Sequence, residues 1–330
     1  KQIDKFAFDG EYVIIAGNGD LNVKYYNGKF NAYQRTYTIK PKEGLFGKYL
    51  YYFMELYVDR LRELSIGGVI KYIKLGNLTD AEIPLPPLDQ QKKIAAILDA
   101  ADTYRQKTKA LIAKYDELAQ SLFLEMFGDP ATNPMGWERK KLNEVCVKIT
   151  DGTHDTPKRL TEGVKFITGK HIRPYVIDYA NSDYVTPEVH EEIYKRCNPE
   201  KGDVLYTNIG VNLGTAALNR VEYQFSMKNV ALLKPKNEIL TGCYLEYFLN
   251  NHNMKSKILG FASMGGAQQF LSLNVIRALE VIVPPNKLQL NFSTKVEDVN
   301  LQWTLAHQSL EKAEELFNSL LQRAFKGELE

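Results

Sequence analysis

Cysteine is scarce in this 330-residue chain, and Cys146, Cys197 and Cys243 lie far apart without CxxC spacing. Neither a disulfide framework nor a zinc site is therefore suggested. The five histidines, His154, His171, His190, His252 and His307, show no metal-ligand spacing, so no metal site is expected. Long apolar runs are missing too, and the N-terminus has no apolar stretch followed by a small-residue cleavage site. The expectation is a cytoplasmic protein that does not use a membrane. Neither charge sign dominates, because 42 Lys and Arg face 40 Asp and Glu for a net +2. Contact with a polyanion must then come from local basic faces. With 44% hydrophobic and 25% charged residues, the chain has ordinary soluble composition and room for two cores.

Several catalytic signatures fail on inspection. Gly163 to Lys170 has five residues between Gly163 and Gly169 where a phosphate-binding loop needs four, and His171 stands where a magnesium-binding Ser or Thr belongs. Ile15-Ala16-Gly17-Asn18-Gly19 has a GxG after an apolar run, but no third glycine opens a helix, and Asn18-Gly19 reads as a turn. The pairs Pro86-Pro87 and Pro284-Pro285 follow Leu85 and Val283, so they lack the acidic or amide residue of an adenine methyltransferase loop. They punctuate helix starts. No catalytic residue is assigned.

What the chain does have is length in its helices. From Asp89 to Phe127 there is no proline or glycine, and Ile94, Leu98, Ala101, Thr108, Ile112, Tyr115, Ala119, Leu122 and Met126 step by alternating fours and threes once Arg105 fills the single gap. That is a heptad seam, on a helix roughly 60 Å long at 1.5 Å per residue. A second seam runs between Leu288 and Phe325, through Phe292, Val296, Val299, Trp303, Ala306, Leu310, Ala313, Phe317, Leu320 and Ala324. The two are one repeat: Ile94 and Phe292, Leu122 and Leu320, Gly67 and Gly265, and Pro86 and Pro284 are each 198 residues apart. Two matching stripes in one chain most simply bury each other, although part of each helix can pack on its own domain.

The repeat extends upstream. Gly10-Glu11-Tyr12-Val13-Ile14 aligns with Gly202-Asp203-Val204-Leu205 at an offset of 192, and Lys40-Pro41-Lys42 with Lys234-Pro235-Lys236 at 194. Each copy reads as short strands (Tyr12 to Ile15 and Tyr33 to Ile39; Val204 to Tyr206 and Val230 to Leu233), then an aromatic-rich helix (Lys48 to Leu64; Cys243 to Leu259). A Gly-Gly loop follows, then a short strand (Ile70 to Ile73; Gln269 to Leu273), a last strand (Glu82 to Leu85; Glu280 to Val283) and the long helix. Turns are expected at Asn18-Gly19, Asn27-Gly28 and Gly163. The architecture is α/β (α+β) domains in tandem with an internal pseudo-twofold repeat. The boundaries are 1–87 for the first domain, 88–127 for the first long helix, 128–136 for a linker, 137–286 for the second domain and 287–327 for the second long helix. The stretch from Trp137 to Lys201 has almost no counterpart before the first copy, so the first domain is expected to be N-terminally incomplete.

With catalysis set aside, binding remains. Polar and basic residues interleave with aromatics at Asn18, Lys24, Tyr25, Tyr26 and Arg35 in the first domain, and at Thr153, His154, Arg159, Lys170, His171, Arg173, Asn208 and Asn212 in the second. Lys and Arg suit phosphates and guanine edges, while Asn and Gln suit adenine. The Gly-Gly loops keep their glycines but place Lys71 and Tyr72 in one copy and Gln268 and Gln269 in the other, so a changed reader behind a close-approach turn is the expectation. A solvated tight turn is the plain alternative for any one of these residues.

The chain resembles the specificity subunit of type I restriction-modification systems. The resemblance rests on Ile83-Pro84-Leu85-Pro86-Pro87-Leu88-Asp89-Gln90-Gln91, Met126-Phe127-Gly128-Asp129, Gly136-Trp137-Glu138, Ile149-Thr150-Asp151-Gly152-Thr153-His154 and Asp183-Tyr184-Val185-Thr186-Pro187-Glu188, in that order along nearly the whole chain. It implies two target-recognition domains, each reading half of a bipartite double-stranded DNA sequence, joined by two antiparallel coiled-coil-like helices that pair through residues such as Ile94, Leu98, Ala101, Ile112, Tyr115, Leu122, Phe292, Val296, Val299, Trp303, Leu310, Phe317 and Leu320. It also implies methylation subunits, two in number, and restriction subunits as partners. Those partners carry S-adenosylmethionine, ATP and magnesium, and no cofactor is bound by this chain. Paired head to tail, the helices would act as a ruler between the two readers. Two other classes stay open, the specificity portion of a fused restriction-methylation enzyme and a helical adaptor with one inert recognition domain.

Overall fold

The computed structural model describes residues 5–210, 212–265 and 268–329. In chain order the first elements are β1 (Phe8–Ala16), β2 (Val23–Phe30), β3 (Thr36–Ile39), α1 (Gly47–Leu64), α2 (Leu75–Thr79) and α3 (Leu88–Phe127). Next come β4 (Glu138–Lys141), α4 (Leu142–Val145), β5 (Cys146–Asp151), β6 (Val164–Thr168), a 3-10 turn (Gly169–His171), β7 (Ile172–Arg173), β8 (Val176–Ile177), β9 (Asp183–Val185) and α5 (Pro187–Arg196). The rest are β10 (Val204–Tyr206), β11 (Ala216–Leu218), β12 (Ser226–Lys228), β13 (Ala231–Pro235), α6 (Gly242–Asn250), α7 (His252–Leu259), β14 (Ser263–Gly265), β15 (Gln268–Phe270), α8 (Leu273–Ala278), β16 (Glu280–Val283) and α9 (Asn286–Phe325). The chain divides into two compact units within the long helices: unit 1 is Lys1–Ala113 with Thr304–Glu330, and unit 2 is Lys114–Trp303.

Unit 1 is built on the antiparallel sheet β2-β1-β3. Alternation along β1 sends Val13 and Ile15 inward, both with no exposed surface, to meet Leu50, Phe53, Met54 and Leu61 of α1. Beside that core, Ile94 and Leu98 near the start of α3 pack with Tyr49, Tyr52 and, near the end of α9, Phe317, Leu321 and Ala324. The start of one long helix therefore meets the end of the other. Arg105, the gap in the seam, lies over the Phe317 ring at 4.1 Å from its centroid and donates Nε to Asp102 Oδ1 at 3.0 Å. Ile112 is buried, and Ala101, Leu310 and Leu320 are half-buried.

Unit 2 has the four-stranded sheet β11-β10-β13-β5, against which α6 lays Tyr244, Leu245 and Phe248. The opposite ends of the long helices join this core: Ala119, Phe123 and Phe127 from the end of α3 pack with Phe292 and Val296 from the start of α9. Ring centroids of Phe123 and Phe127 lie 5.6 and 5.3 Å from that of Phe292, near perpendicular. Leu122, Val299, Tyr115 and Trp303 are half-buried. In both units the most buried stripe steps by fours where a helix leaves its heptad seam for a domain core, through Ala119, Phe123 and Phe127 and through Ala313, Phe317 and Leu321. A straight α-helix repeats at 3.6 and not 3.5, so burial passes from Leu122 to Phe123 and from Leu320 to Leu321.

The repeat is visible in buried polar clamps. Gln91, 1% exposed, accepts from Phe46 N and donates to Gly44 O and Pro86 O. Gln289, fully buried, accepts from Thr241 N and donates to Ile239 O and Pro284 O. Tyr49 and Tyr244 repeat the theme, with hydroxyls donating to Pro84 O and Ile282 O at 3.0 Å each. Sheet registers correct the sequence alignment of the first strands. Ile14 pairs with Lys24 and Thr38, and Leu205 pairs with Ala217 and Leu232, which sets the offset of β1 and β10 at 191 and not 192. A slip of one would exchange the faces of the strand.

Four other expectations change. Asn27-Gly28 is no turn but part of β2, opposite Glu11 and Gly10, so Lys24, Tyr25 and Tyr26 are strand residues. Ile70 to Ile73 forms only a bridge at Tyr72. Cys243 to Leu259 is two helices, because Asn251 leaves helical geometry and its side chain caps α7 by accepting from Met254 N at 3.1 Å. Glu82 to Leu85 forms no strand, whereas Glu280–Val283 does. The difference is a partner: β16 pairs with β4, and unit 1 has no described strand in the corresponding place. All three cysteines are free and buried, and burial pushes each thiol up to about 12.

Candidate nucleic-acid interface

In unit 1 the end of β1 and the Gly-Gly loop come together. Ile73 N donates to Gly17 O at 3.0 Å, Gly19 N donates to Lys71 O at 2.9 Å, and Asn18 bridges to Tyr72. Gly17, Arg35, Tyr37 and Tyr72 line a cleft of about 350 Å³. Of the candidates, Asn18, Arg35, Lys71 and Tyr72 are thus neighbours, while Lys24 sits on β2 opposite Ile14 and does not line the cleft. Gly67 has φ +117°, and an added Cβ would meet Ile70 O at 2.5 Å, so the glycine serves the turn that Ile66 and Tyr72 close. That turn holds Val69 and Ile70 out in solvent at 103% and 58% exposure.

Unit 2 repeats the crossing. Leu271 N donates to Asn208 O at 2.8 Å and Ile209 bridges to Phe270, at places that match Gly17, Ile73, Asn18 and Tyr72. Gln269, exposed, precedes Phe270 on β15. Gln268 also lies on β15, while Gly266 of the second Gly-Gly loop is outside the described residues. Beside this crossing Arg159, Thr168, Gly169, Lys170, Ile209, Asn212, Lys228 and Asn229 surround a pocket of about 500 Å³. The loop after β5 forms its edge. Gly152 N and Thr153 N donate to Val230 O and Met227 O, and a Cβ on Gly152 would stand 2.1 Å from Met227 O, so only glycine fits there. His154, exposed, is held at both ring nitrogens, Nε2 at 2.9 Å from Asp151 Oδ2 and Nδ1 at 2.9 Å from Asn229 Oδ1. Asp151 is 5% exposed and also accepts from Arg196 Nη2 at 2.5 Å, so this buried carboxylate fixes the loop by two cationic or polar partners.

Not every candidate presents a free polar group to the pocket. His171 is 3% exposed and its Nδ1 accepts from Thr168 N at 2.9 Å, so it braces the 3-10 turn from inside. Burial, then the neighbouring Lys170, holds its imidazole below the usual histidine range. Asn212 spends its amide on Gly169 O and Ile172 O, both at 3.1 Å, and Asn208 donates to Leu271 O. Arg173, exposed, lies on the small β7-β8 hairpin and outside the pocket lining. Three residues that sequence reasoning passed over belong here: Lys228, Asn229 at φ +52°, and Asp183. The polar pair Lys228-Asn229 just before the apolar run Val230 to Leu233 is the available signal. Among the described residues no group of three or more His, Cys, Asp or Glu could hold a metal ion. No described helix is long and apolar enough to cross a membrane.

The family model described as the type I restriction modification DNA specificity domain matches residues 1–114 and 134–315. The chain belongs to that family. Among its relatives are the EcoDI specificity subunit of Escherichia coli, 38% identical over 36% of this chain and 26% of that protein, and the MjaIX specificity subunit of Methanocaldococcus jannaschii, 23% identical over 88% and 71%. The aligned portion is thus about a quarter of the EcoDI subunit. The crystal structure of the S subunit from M. genitalium shares the fold at TM-score 0.64 and 19% identity, over 98% of this chain and 85% of that one. For a specificity-domain protein the doubled crossing is informative, since both matched segments contain one copy of it.

Proposed function

We propose that this chain is the DNA-reading, non-catalytic subunit of a type I restriction-modification complex, and that it reads a bipartite duplex target, one half through each unit. The observation that carries the reading is the recurrence of one crossing, Gly17–Ile73 and Asn208–Leu271, beside different polar side chains: the exposed Arg35, Lys71 and Tyr72 in unit 1, and the exposed Arg159, Lys170 and Gln269 with the half-buried Lys228 in unit 2. A common frame with exchanged side chains is what reading two different half-sequences requires. Cations supply phosphate contacts, and amides such as Gln269 and Asn229 supply base-edge contacts. Methylation and restriction subunits, two of the former, would dock to form the complex. They would bring S-adenosylmethionine, ATP and magnesium, with the work done in the cytoplasm.

Methylome sequencing of cells expressing the complete system tests this directly. The expected result is methylated adenines in one motif of two fixed halves around an unread spacer. A continuous motif, or methylation unchanged when this chain is omitted, would overturn it.

A further inference from the structure

Two of the three cations around the unit 2 pocket are already paired with a carboxylate, while the third, Lys228, donates to the Thr156 hydroxyl. Arg159 Nη1 donates to Asp183 Oδ2 at 2.8 Å, and Lys170 Nζ forms an ion pair with the same oxygen at 3.1 Å. Exposure is graded across the group: the Arg159 and Lys170 side chains are 43% and 55% exposed and that of Asp183 only 23%. The carboxylate, absent from the pocket lining, therefore stands behind cations that belong to it. Asp183 opens β9 and pairs with the fully buried Phe166 of β6, so its backbone is fixed. An anionic oxygen that receives one guanidinium and one ammonium has the same partners as a non-bridging phosphate oxygen of nucleic acid.

We infer that Asp183 is a specificity-determining residue of unit 2, acting through Arg159 and Lys170 as an internal stand-in for a backbone phosphate. Non-specific binding depends on how many phosphates a protein neutralises, and each one adds about 0.9 to the slope of log affinity against log salt. While Asp183 holds both cations, a random duplex gains little from them. A target whose bases also satisfy the pocket brings its phosphate into register and takes the cations over, because an exposed ion pair is worth only about 0–1 kcal/mol. This rests on the reading of unit 2 as a duplex reader. Asp183 is a positioning residue in this account and touches no base.

The test uses the full chain, its target duplex from the methylome and a scrambled duplex, each titrated at several salt concentrations. Asp183→Asn should tighten binding to the scrambled duplex by about three- to tenfold and steepen its salt slope by about one to two, while target affinity changes less. Adding Arg159→Gln and Lys170→Gln to that variant should abolish the gain. Without touching Asp183, the single variants Arg159→Gln and Lys170→Gln should weaken the target complex yet leave the scrambled-duplex slope nearly unchanged. Equal weakening of both duplexes by Asp183→Asn, or an unchanged slope, would overturn the inference. Elution from heparin, a sequence-free polyanion, separates this failure from failure of the duplex reading. Later elution of Asp183→Asn together with no preference for any duplex would sink the reader and leave the masked cations standing. Unaltered elution would sink the masking itself.

Discussion

On the side of its sheet away from α6, unit 2 carries Leu205, Ala217 and Leu232, sealed beneath Ile167, Ile172, Cys197, Phe225 and Met227. The same register positions in unit 1 are Ile14, Lys24 and Thr38, none of them buried, with Phe8, Tyr12, Tyr26 and Phe30 continuing the face. Those rings pack on one another, Phe8 and Phe30 stacked at 5.0 Å and Tyr12 edge-on to Phe30 at 5.4 Å. The inner faces agree, since Val13 and Val204 are both fully buried. A strand alternates sides, so one side can be held to a common helix-packing core while the other changes chemistry. The repeat is therefore a shared half-core with independent outer surfaces.

The largest effects should come from what the units share. Gln289→Leu strips partners from three backbone groups, two of them in buried hydrogen bonds, and should destabilise unit 2 by about 3 kcal/mol or more. Gln91→Leu should do the same in unit 1, followed for each unit by hydrogen exchange in denaturant. A large loss in one and none in the other would break the equivalence of the clamps. The outer faces should diverge instead. Leu205→Ala should cost about 2–5 kcal/mol as a core truncation, whereas the half-exposed Ile14→Ala should cost about 1 kcal/mol or less, and equal costs would erase the contrast.

Smaller effects sharpen the functional side. Gln269→Ala should cost about 1–3 kcal/mol on the half-sequence read by unit 2 and nothing on the other, with Lys71→Ala doing the reverse, in binding-site selection. Uniform weakening on every sequence would mark either residue as a phosphate contact. Acidification is the mildest lever. Burial lowers the His171 pKa from its ordinary 6.5, so the unfolded chain takes up the proton first. Unit 2 should then keep its full stability above about pH 6.5 and lose part of it as pH falls from there towards the folded value. His171→Asn should flatten that dependence in pH-series melts. Residues 1–113 contain no histidine, so the sheet region of unit 1 should not show this histidine-linked step.

The long helices were legible because proline and glycine are absent over a span that periodicity fills. The first, expected over 88–127, is Leu88–Phe127, and the second, expected over 287–327, is Asn286–Phe325. The interface was harder. Arg35, Lys71, Lys170 and Gln269 are exposed beside the crossings, but His171 looks like any polar reader in sequence and is an internal brace. Strands differ from expectation where a distant segment decides the pairing. Nothing in Glu82-Ile83-Pro84-Leu85 announces that a partner is needed, and β16 has one in β4. Asp183 opens one of the motifs that carry the resemblance, but its pairing is not legible there, because it depends on Arg159 and Lys170 reaching it from two other segments.

Local chemistry alone settled the repeat and the two rods, since each follows from spacing along the chain and needs no knowledge of what lies beside it. Tertiary structure decided which polar side chains face solvent, which face of each sheet is sealed, and where one carboxylate gathers two cations. Those are contacts between residues far apart in the chain, and no periodicity encodes them.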